Sequence, residues 1–99
     1  MIHVIALLTA KPGQRAAQLE EFRKVIPEVH AEDGCIEYGP VIDLAGSPDS
    51  FGEDVLVVIE KWESPEALKA HSVAPHMKAY GERAKDLLAA RAVHVLTPA

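Results

Sequence analysis

Four stretches of the chain have the apolar pattern of β-strands. Residues 2–8 form an almost continuous apolar run, which predicts a strand buried on both faces or nearly so. Residues 55–62 (VLVVIEKW) are continuous and β-branched, so they predict a central strand. Residues 35–43 are also strand-like, but because proline cannot donate to a ladder, Gly39-Pro40 places this strand at a sheet edge or at a bulge. A short final strand is expected over residues 92–96.

The segments between these strands have helical spacing. Apolar side chains recur at intervals of three and four over residues 14–31, which predicts a helix whose last turn is kinked or irregular at Pro27. Ser64-Pro65-Glu66 has the residue types of an N-cap and first turn, so a short helix is expected to about His71. A further helix begins near Pro75. The predicted order β-α-β-β-α-α-β is that of a ferredoxin-like α+β fold, a split β-α-β with an antiparallel sheet covered by helices on one side.

One apolar face of this predicted sheet is left without a cover. Val57 and Ile59 point to the side opposite Leu56 and Val58 in the central strand, and the helices cover only one side. A symmetric partner is the simplest way to bury the second face. The sequence therefore predicts a homodimer.

Composition and charge narrow the class of protein. The 99 residues fit a single domain, 1–99, and 48% hydrophobic with 25% charged residues is typical of a globular chain. A net charge of -5 with scattered basic residues argues against nucleic acid as a partner. No apolar stretch reaches the roughly 20 residues of a membrane span, and Met1-Ile2-His3-Val4 does not begin a signal peptide. Cys35 is the single cysteine, so we expect no internal disulfide and a cytoplasmic location.

Two groups of residues, one in each half of the chain, form a recognisable pattern. The first half has Lys11-Pro12-Gly13-Gln14, Glu32-Asp33-Gly34-Cys35 and Tyr38, and the second has Ile59-Glu60-Lys61-Trp62-Glu63-Ser64, Leu68, Ala70-His71 and Pro75-His76-Met77-Lys78-Ala79-Tyr80. Together they resemble the antibiotic biosynthesis monooxygenase family, and within it the small quinol monooxygenases. The resemblance implies a dimeric α+β barrel in which each subunit keeps a pocket between its sheet and its helices. It also implies oxygenation of phenols or quinols with O2, without flavin, haem or metal.

His71 and His76 are the candidate catalytic residues. On one straight helix their spacing of five would place them about 140° apart, but Pro75 breaks the helix between them. A bent junction could bring both to one pocket, where imidazole serves as a base or a donor. The alternative is that both are surface or capping residues at a helix junction.

Four further residues are candidates for substrate binding. Tyr38 and Trp62 either pack in the core or form the flat wall of an aromatic pocket, with the Tyr38 hydroxyl as a donor. Glu60 is unusual on an apolar strand and is expected to pair with a basic group across the dimer or to act as a general base. Tyr80 is placed with them by its position in the matched segment.

No cofactor is expected. Zinc requires three or four ligands of fixed geometry, and His3, His30 and His94 are far apart in the sequence, so no metal site is predicted. The family's haem-degrading members have an asparagine on the first strand, which this chain lacks, and no glycine-rich nucleotide loop is present.

The leading functional hypothesis is a cofactor-independent monooxygenase acting on a phenolic or quinol-type aromatic molecule. The alternatives are a non-catalytic dimeric ligand-binding or stress-response module, and an isomerase of small hydroxy-ketones that uses the same histidine pair as acid and base. The residues alone do not separate these three, and they do not identify the substrate.

Overall fold

The computed structural model describes all 99 residues, and its elements follow the predicted order. They are β1 (Ile2–Ala10), α1 (Arg15–His30), β2 (Cys35–Val41), β3 (Val55–Trp62), α2 (Pro65–Ser72), α3 (Pro75–Ala84) and β4 (Leu88–Leu96). The four strands form one antiparallel sheet in the order β2-β3-β1-β4. This arrangement confirms the ferredoxin-like α+β fold, with β3 in the centre and the proline-containing β2 at an edge.

Local chemistry fixes the helix boundaries near the site. The Ser64 hydroxyl accepts a hydrogen bond from the Ala67 N–H at 3.1 Å and caps α2, with Pro65 at the first helical position. Helix α1 continues through Pro27 to His30. The Ala31 N–H still bonds to the Pro27 carbonyl at 3.2 Å, so the proline leaves the end of the helix in place.

The core lies between the sheet and the helices. Its largest fully buried members are Trp62 and Leu56 from β3 and Phe22 from α1. Burial alternates along β1: Val4, Ala6 and Leu8 are buried against the helices, whereas Ile5 and Leu7, which point to the opposite face, are only partly buried. The prediction that β1 is buried on both faces or nearly so is therefore wrong for the second face within this chain, because no helix covers it.

Strand β4 begins at Leu88, earlier than the predicted start at residue 92. It pairs with β1 from Leu88 opposite Ala10 to Leu96 opposite His3. The leucine- and alanine-rich segment before residue 92 suits a helix by propensity, and pairing with the neighbouring strand overrides that weak preference. None of the helices combines the length and the apolar character needed to cross a bilayer.

Candidate functional site

A cavity of about 610 Å³ lies between the sheet and helices α2 and α3. Its volume is within the range of about 300–1,000 Å³ that is usual for small-molecule sites, and most of its lining is hydrophobic. All the β4 residues that line it except Leu88 are solvent-exposed, so the cavity opens on that side. The rest of the lining includes Val4, Phe22, Tyr38, Glu60, His71 and Tyr80.

Two histidines and one glutamate form a cluster behind one wall of this cavity. Oε2 of Glu32 lies 2.9 Å from Nδ1 of His71 and 2.7 Å from Nε2 of His76. His71 lies in the last turn of α2 and His76 at the start of α3, so the bend between the helices brings both rings to one carboxylate. The three side chains are largely shielded, with exposed fractions of 7% for His71, 13% for Glu32 and 18% for His76.

A glycine turn lets Glu32 reach this position. Gly34 has a φ of +81°, and a Cβ built there would lie 2.6 Å from the Cβ of Ala67 on α2. Only glycine combines that backbone conformation with so close an approach. The turn after α1 can therefore pack directly against α2, which carries His71.

The two histidines differ in their access to the cavity. His71 lines it, whereas His76 does not, although both rings contact Glu32. Because Nδ1 of His71 faces a carboxylate, that nitrogen carries the proton and donates it, which leaves Nε2 as the acceptor in the neutral ring. His71 Nε2 has no hydrogen-bond partner within the chain. It is not among the fully buried atoms that lack a partner, since those belong to Gln18 alone. Nε2 therefore keeps some exposed surface and is accessible to a molecule in the cavity that His71 lines.

Trp62 packs against the His71 ring and does not line the cavity. Its ring lies 4.6 Å from the His71 ring between centroids, and its indole N–H donates to Oε1 of Glu60 at 2.9 Å. Trp62 is fully buried and is absent from the cavity lining. Of the two predicted alternatives for Trp62, the structure matches packing in the core and not a pocket wall. Its ring packs against His71, which lies between it and the cavity.

Glu60 is a buried carboxyl on the cavity floor. Burial raises its pKa above the ordinary value, and the nearby Glu32 carboxylate acts in the same direction. The Trp62 N–H and His71 favour the ionised form and offset only part of this effect. Within the subunit its partner is Trp62 rather than a basic group, so the predicted pairing across a dimer is not needed to satisfy Oε1.

Aromatic rings form much of the cavity wall. Phe22 stacks on Tyr38 with centroids 5.4 Å apart and meets Tyr80 edge-on at 5.8 Å. Tyr38 in turn packs edge-on against His71 at 5.4 Å. Burial raises the pKa of both tyrosines above the usual phenol value, and Glu60 adds to the effect on Tyr38. Both hydroxyls therefore stay protonated and can donate to a ligand.

The structure thus brings together most, not all, of the predicted site residues. His71, Glu60, Tyr38 and Tyr80 line the cavity, and their catalytic and binding roles stay predictions. Glu32 was not among the predicted site residues, although it lies in the segment Glu32-Asp33-Gly34-Cys35 that carries the family resemblance. Its ligand atom and those of His71 and His76 all lie within 4.8 Å of one another, so the chain contains a His2Glu set that the spacing of its histidines did not reveal.

Residues 1–83 match the family described as antibiotic biosynthesis monooxygenase. The chain belongs to this family. It is 42% identical over 102 residues to the probable quinol monooxygenase YgiN of Escherichia coli, covering 99% of this chain and 98% of that protein. Glu32, Glu60, His71 and His76 all lie within the segment that matches the antibiotic biosynthesis monooxygenase family, whereas the whole of β4 lies outside it.

Solved structures with the same fold support the assignment. The structure of Rv0793 from Mycobacterium tuberculosis aligns with a TM-score of 0.82 and 31% identity, over 99% of this chain and 94% of that one. The structure of PA3566 from Pseudomonas aeruginosa aligns with a TM-score of 0.81 and 28% identity, over 99% and 93% of the two chains. The cavity between sheet and helices is therefore built on a scaffold that this chain shares with both of these proteins along nearly its whole length.

Proposed function

We propose that this protein is a cofactor-independent monooxygenase that oxidises a phenolic or quinol-type aromatic molecule with O2. The observation that carries the proposal is His71: Glu32 holds its Nδ1, and its Nε2 is accessible at the wall of an apolar, aromatic-lined cavity. The name of the Escherichia coli relative, a probable quinol monooxygenase, supports the same substrate class.

His71 would act as the general base. Nε2 accepts the phenolic proton, and the Glu32 carboxylate stabilises the imidazolium that forms, as a carboxylate does in other carboxylate–histidine pairs. His76 shares the same oxygen of Glu32 and helps to fix its position. His71 rather than His76 is the base in this proposal, because His71 lines the cavity and His76 does not.

The remaining chemistry needs no external reductant. The quinol anion transfers one electron to O2, and the resulting radical and superoxide combine to form a carbon–oxygen bond at a ring carbon. Loss of water then breaks the O–O bond, leaving one oxygen atom on the ring. Both electrons for the reduction of the second oxygen atom to water come from the substrate, so a hydroquinone plus O2 gives a hydroxyquinone plus water.

The cavity supplies what such an anion requires. The Tyr38 and Tyr80 hydroxyls remain protonated and are placed to donate to a developing oxyanion. The stacked Phe22 and Tyr38 rings provide flat surfaces for an aromatic substrate. Most of the lining is hydrophobic, and a substrate that fills the cavity would displace water from it, which would strengthen these interactions.

The working unit in this proposal is a homodimer that forms the α+β barrel. The sheet face away from the helices carries Ile5, which lies opposite Ile59, and Leu7, which lies opposite Val57. Residues directly opposite one another share a face. Val57 is already buried within the chain, whereas Ile5, Leu7 and Ile59 are only partly buried, so these three form an apolar patch that this chain's helices do not cover. A second copy presenting the same patch is a self-complementary cover.

Oxygen uptake with a reduced naphthoquinol such as menadiol tests the proposed reaction. We expect consumption above the spontaneous rate, and His71→Gln should lower the turnover rate about 10²- to 10⁴-fold, the usual contribution of a general base. His94→Gln is the matched control, since that histidine is exposed on β4 outside the cavity lining. If the wild type turns over no quinol or phenol but binds them, the ligand-binding alternative replaces this proposal.

A further inference from the structure

The Glu32, His71 and His76 cluster has the ligand set of a metal site. Its three donor atoms, one oxygen and two imidazole nitrogens, all lie within 4.8 Å of one another, and two of the three distances are 2.9 and 2.7 Å. In a four-coordinate zinc site with bonds of about 2.0–2.1 Å, tetrahedral geometry separates ligand atoms by about 3.3 Å. The two short distances would have to lengthen by a few tenths of an ångström, and the third, between the two imidazole nitrogens, is at most 4.8 Å and would have to come to the same spacing.

The surroundings of the cluster favour a cation. Glu32 pairs with the two histidines and with no lysine or arginine. A second carboxylate, Glu28, places Oε2 3.7 Å from Nδ1 of His76. Glu32 follows the end of α1, and His71 lies in the last turn of α2, so the negative ends of two helices face the cluster. The positive end of α3, which carries His76, opposes them only in part.

Glu28 also occupies the position of an outer-shell partner. A histidine that binds a metal through one ring nitrogen usually donates the other N–H to a carboxylate. Binding through Nε2 would place the proton of His76 on Nδ1, which faces Glu28. Glu32, His71 and His76, which now share hydrogen bonds, therefore provide three ligands and leave a fourth coordination position open. Glu28, at 3.7 Å, is beyond hydrogen-bond distance and would have to move closer to orient His76.

We propose that Glu32, His71 and His76 bind a divalent first-row transition metal, with Zn²⁺ the best match to two imidazoles and one carboxylate. The bound metal would occupy Nδ1 of His71 and move that ring's proton to Nε2. His71 then has no lone pair to offer in the cavity. The metal therefore acts as an inhibitor of the oxygenase, a consequence that rests on the proposed function, whereas the binding itself does not.

Titration of the metal-free protein with Co²⁺ tests the site without any assay of activity. We expect one ion per chain by calorimetry and the intense visible absorption of low-coordinate cobalt. Glu32→Gln and His76→Gln each remove a ligand and should weaken binding by more than about 100-fold, the upper end of what outer-shell changes cost. Glu28→Gln removes the same charge without removing a ligand and should weaken binding only about 10-fold. Circular dichroism establishes that each variant is folded.

Two results would overturn the metal site: no saturable binding of Co²⁺ or Zn²⁺ by the wild type, or unchanged affinity in folded Glu32→Gln. The inhibitory role has its own test. A free Zn²⁺ concentration equal to the dissociation constant measured for Zn²⁺ should halve quinol-dependent oxygen uptake, and a chelator should restore it. Uptake that is unchanged or increased by saturating Zn²⁺ would refute the inhibition and leave the site intact. Absence of uptake in the metal-free wild type would count against the proposed function alone.

Discussion

Oε2 of Glu32 lies 2.9 Å from Nδ1 of His71, although 39 residues separate the two in the chain. The contact joins the turn after α1 to the last turn of α2, and it determines which nitrogen of His71 faces the cavity as an acceptor. A carboxylate in this position both orients the imidazole and stabilises its charged form.

Glu32→Gln should therefore impair turnover more than substrate binding. The amide can still occupy the position, but it cannot stabilise an imidazolium, and it can present its NH₂ group to Nδ1 and so favour the wrong tautomer. We expect kcat to fall at least about 100-fold, toward the 10⁴-fold loss known for a carboxylate-to-amide change beside a catalytic histidine, with KM nearly unchanged. Steady-state oxygen uptake measures both parameters. Glu28→Gln is the control, and equal kcat values for the Glu32 variant and wild type would refute the role.

Tyr38→Phe tests the hydroxyl as a donor to the substrate oxyanion. The ring that stacks on Phe22 and packs against His71 is retained, so the fold should survive. Loss of one donor to a developing oxyanion should lower kcat by about 10²-fold or somewhat more. A variant with the wild-type kcat and a wild-type thermal transition would limit Tyr38 to a packing role.

Glu60 should make the stability of the protein depend on pH. Because burial raises the folded-state pKa of this carboxyl above its value in the unfolded chain, the folded state binds more protons through that interval. The free energy of unfolding should therefore be highest when Glu60 is protonated in both states. It should fall as pH rises from the ordinary pKa through the raised one.

Glu60→Gln is expected to flatten this part of the pH profile, since a glutamine oxygen can still accept the Trp62 N–H and does not ionise. Urea denaturation from about pH 4 to about pH 8, which spans the ordinary carboxyl range, measures the difference. Glu53→Gln, in an exposed loop position, should leave the profile of the wild type unchanged. Parallel profiles for Glu60→Gln and wild type would contradict the raised pKa.

Ile59→Glu should convert the proposed dimer to a monomer. Ile59 is half-buried within one subunit and lies opposite Ile5 on the apolar face of the sheet. A carboxylate there would be desolvated without a partner in the interface, and a cost of about 3 kcal/mol corresponds to a rise of about 100-fold in the dimer dissociation constant. Sedimentation equilibrium measures this constant. Val73→Glu, at a position that is 73% exposed at the α2–α3 junction, is the matched control.

If the wild type sediments as a monomer at micromolar concentration, the dimer proposal fails whatever the variants do. If wild type and Ile59→Glu are both dimers of equal affinity, the interface lies elsewhere on the surface.

Local patterns in the sequence determined the order of the elements and several details of the sheet. The continuous β-branched run of Val55–Trp62 identified the central strand, and Pro40 identified the edge strand, because each property depends only on neighbouring residues. Pro75 between His71 and His76 indicated a bent junction, which the structure has between α2 and α3.

Tertiary structure alone decided the position of Glu32, the start of β4 and the separate environments of the two histidines. Glu32 reaches His71 and His76 across 39 and 44 residues of sequence, and no local period encodes contacts of that range. The segment before residue 92 became a strand because β1 offered it a pairing edge, against its own weak helical preference. Trp62 does not line the cavity, because the packing of α2 over the sheet places His71 against its ring. Periodicity shows which side of an element is apolar, whereas the packing of distant elements determines which side chains meet.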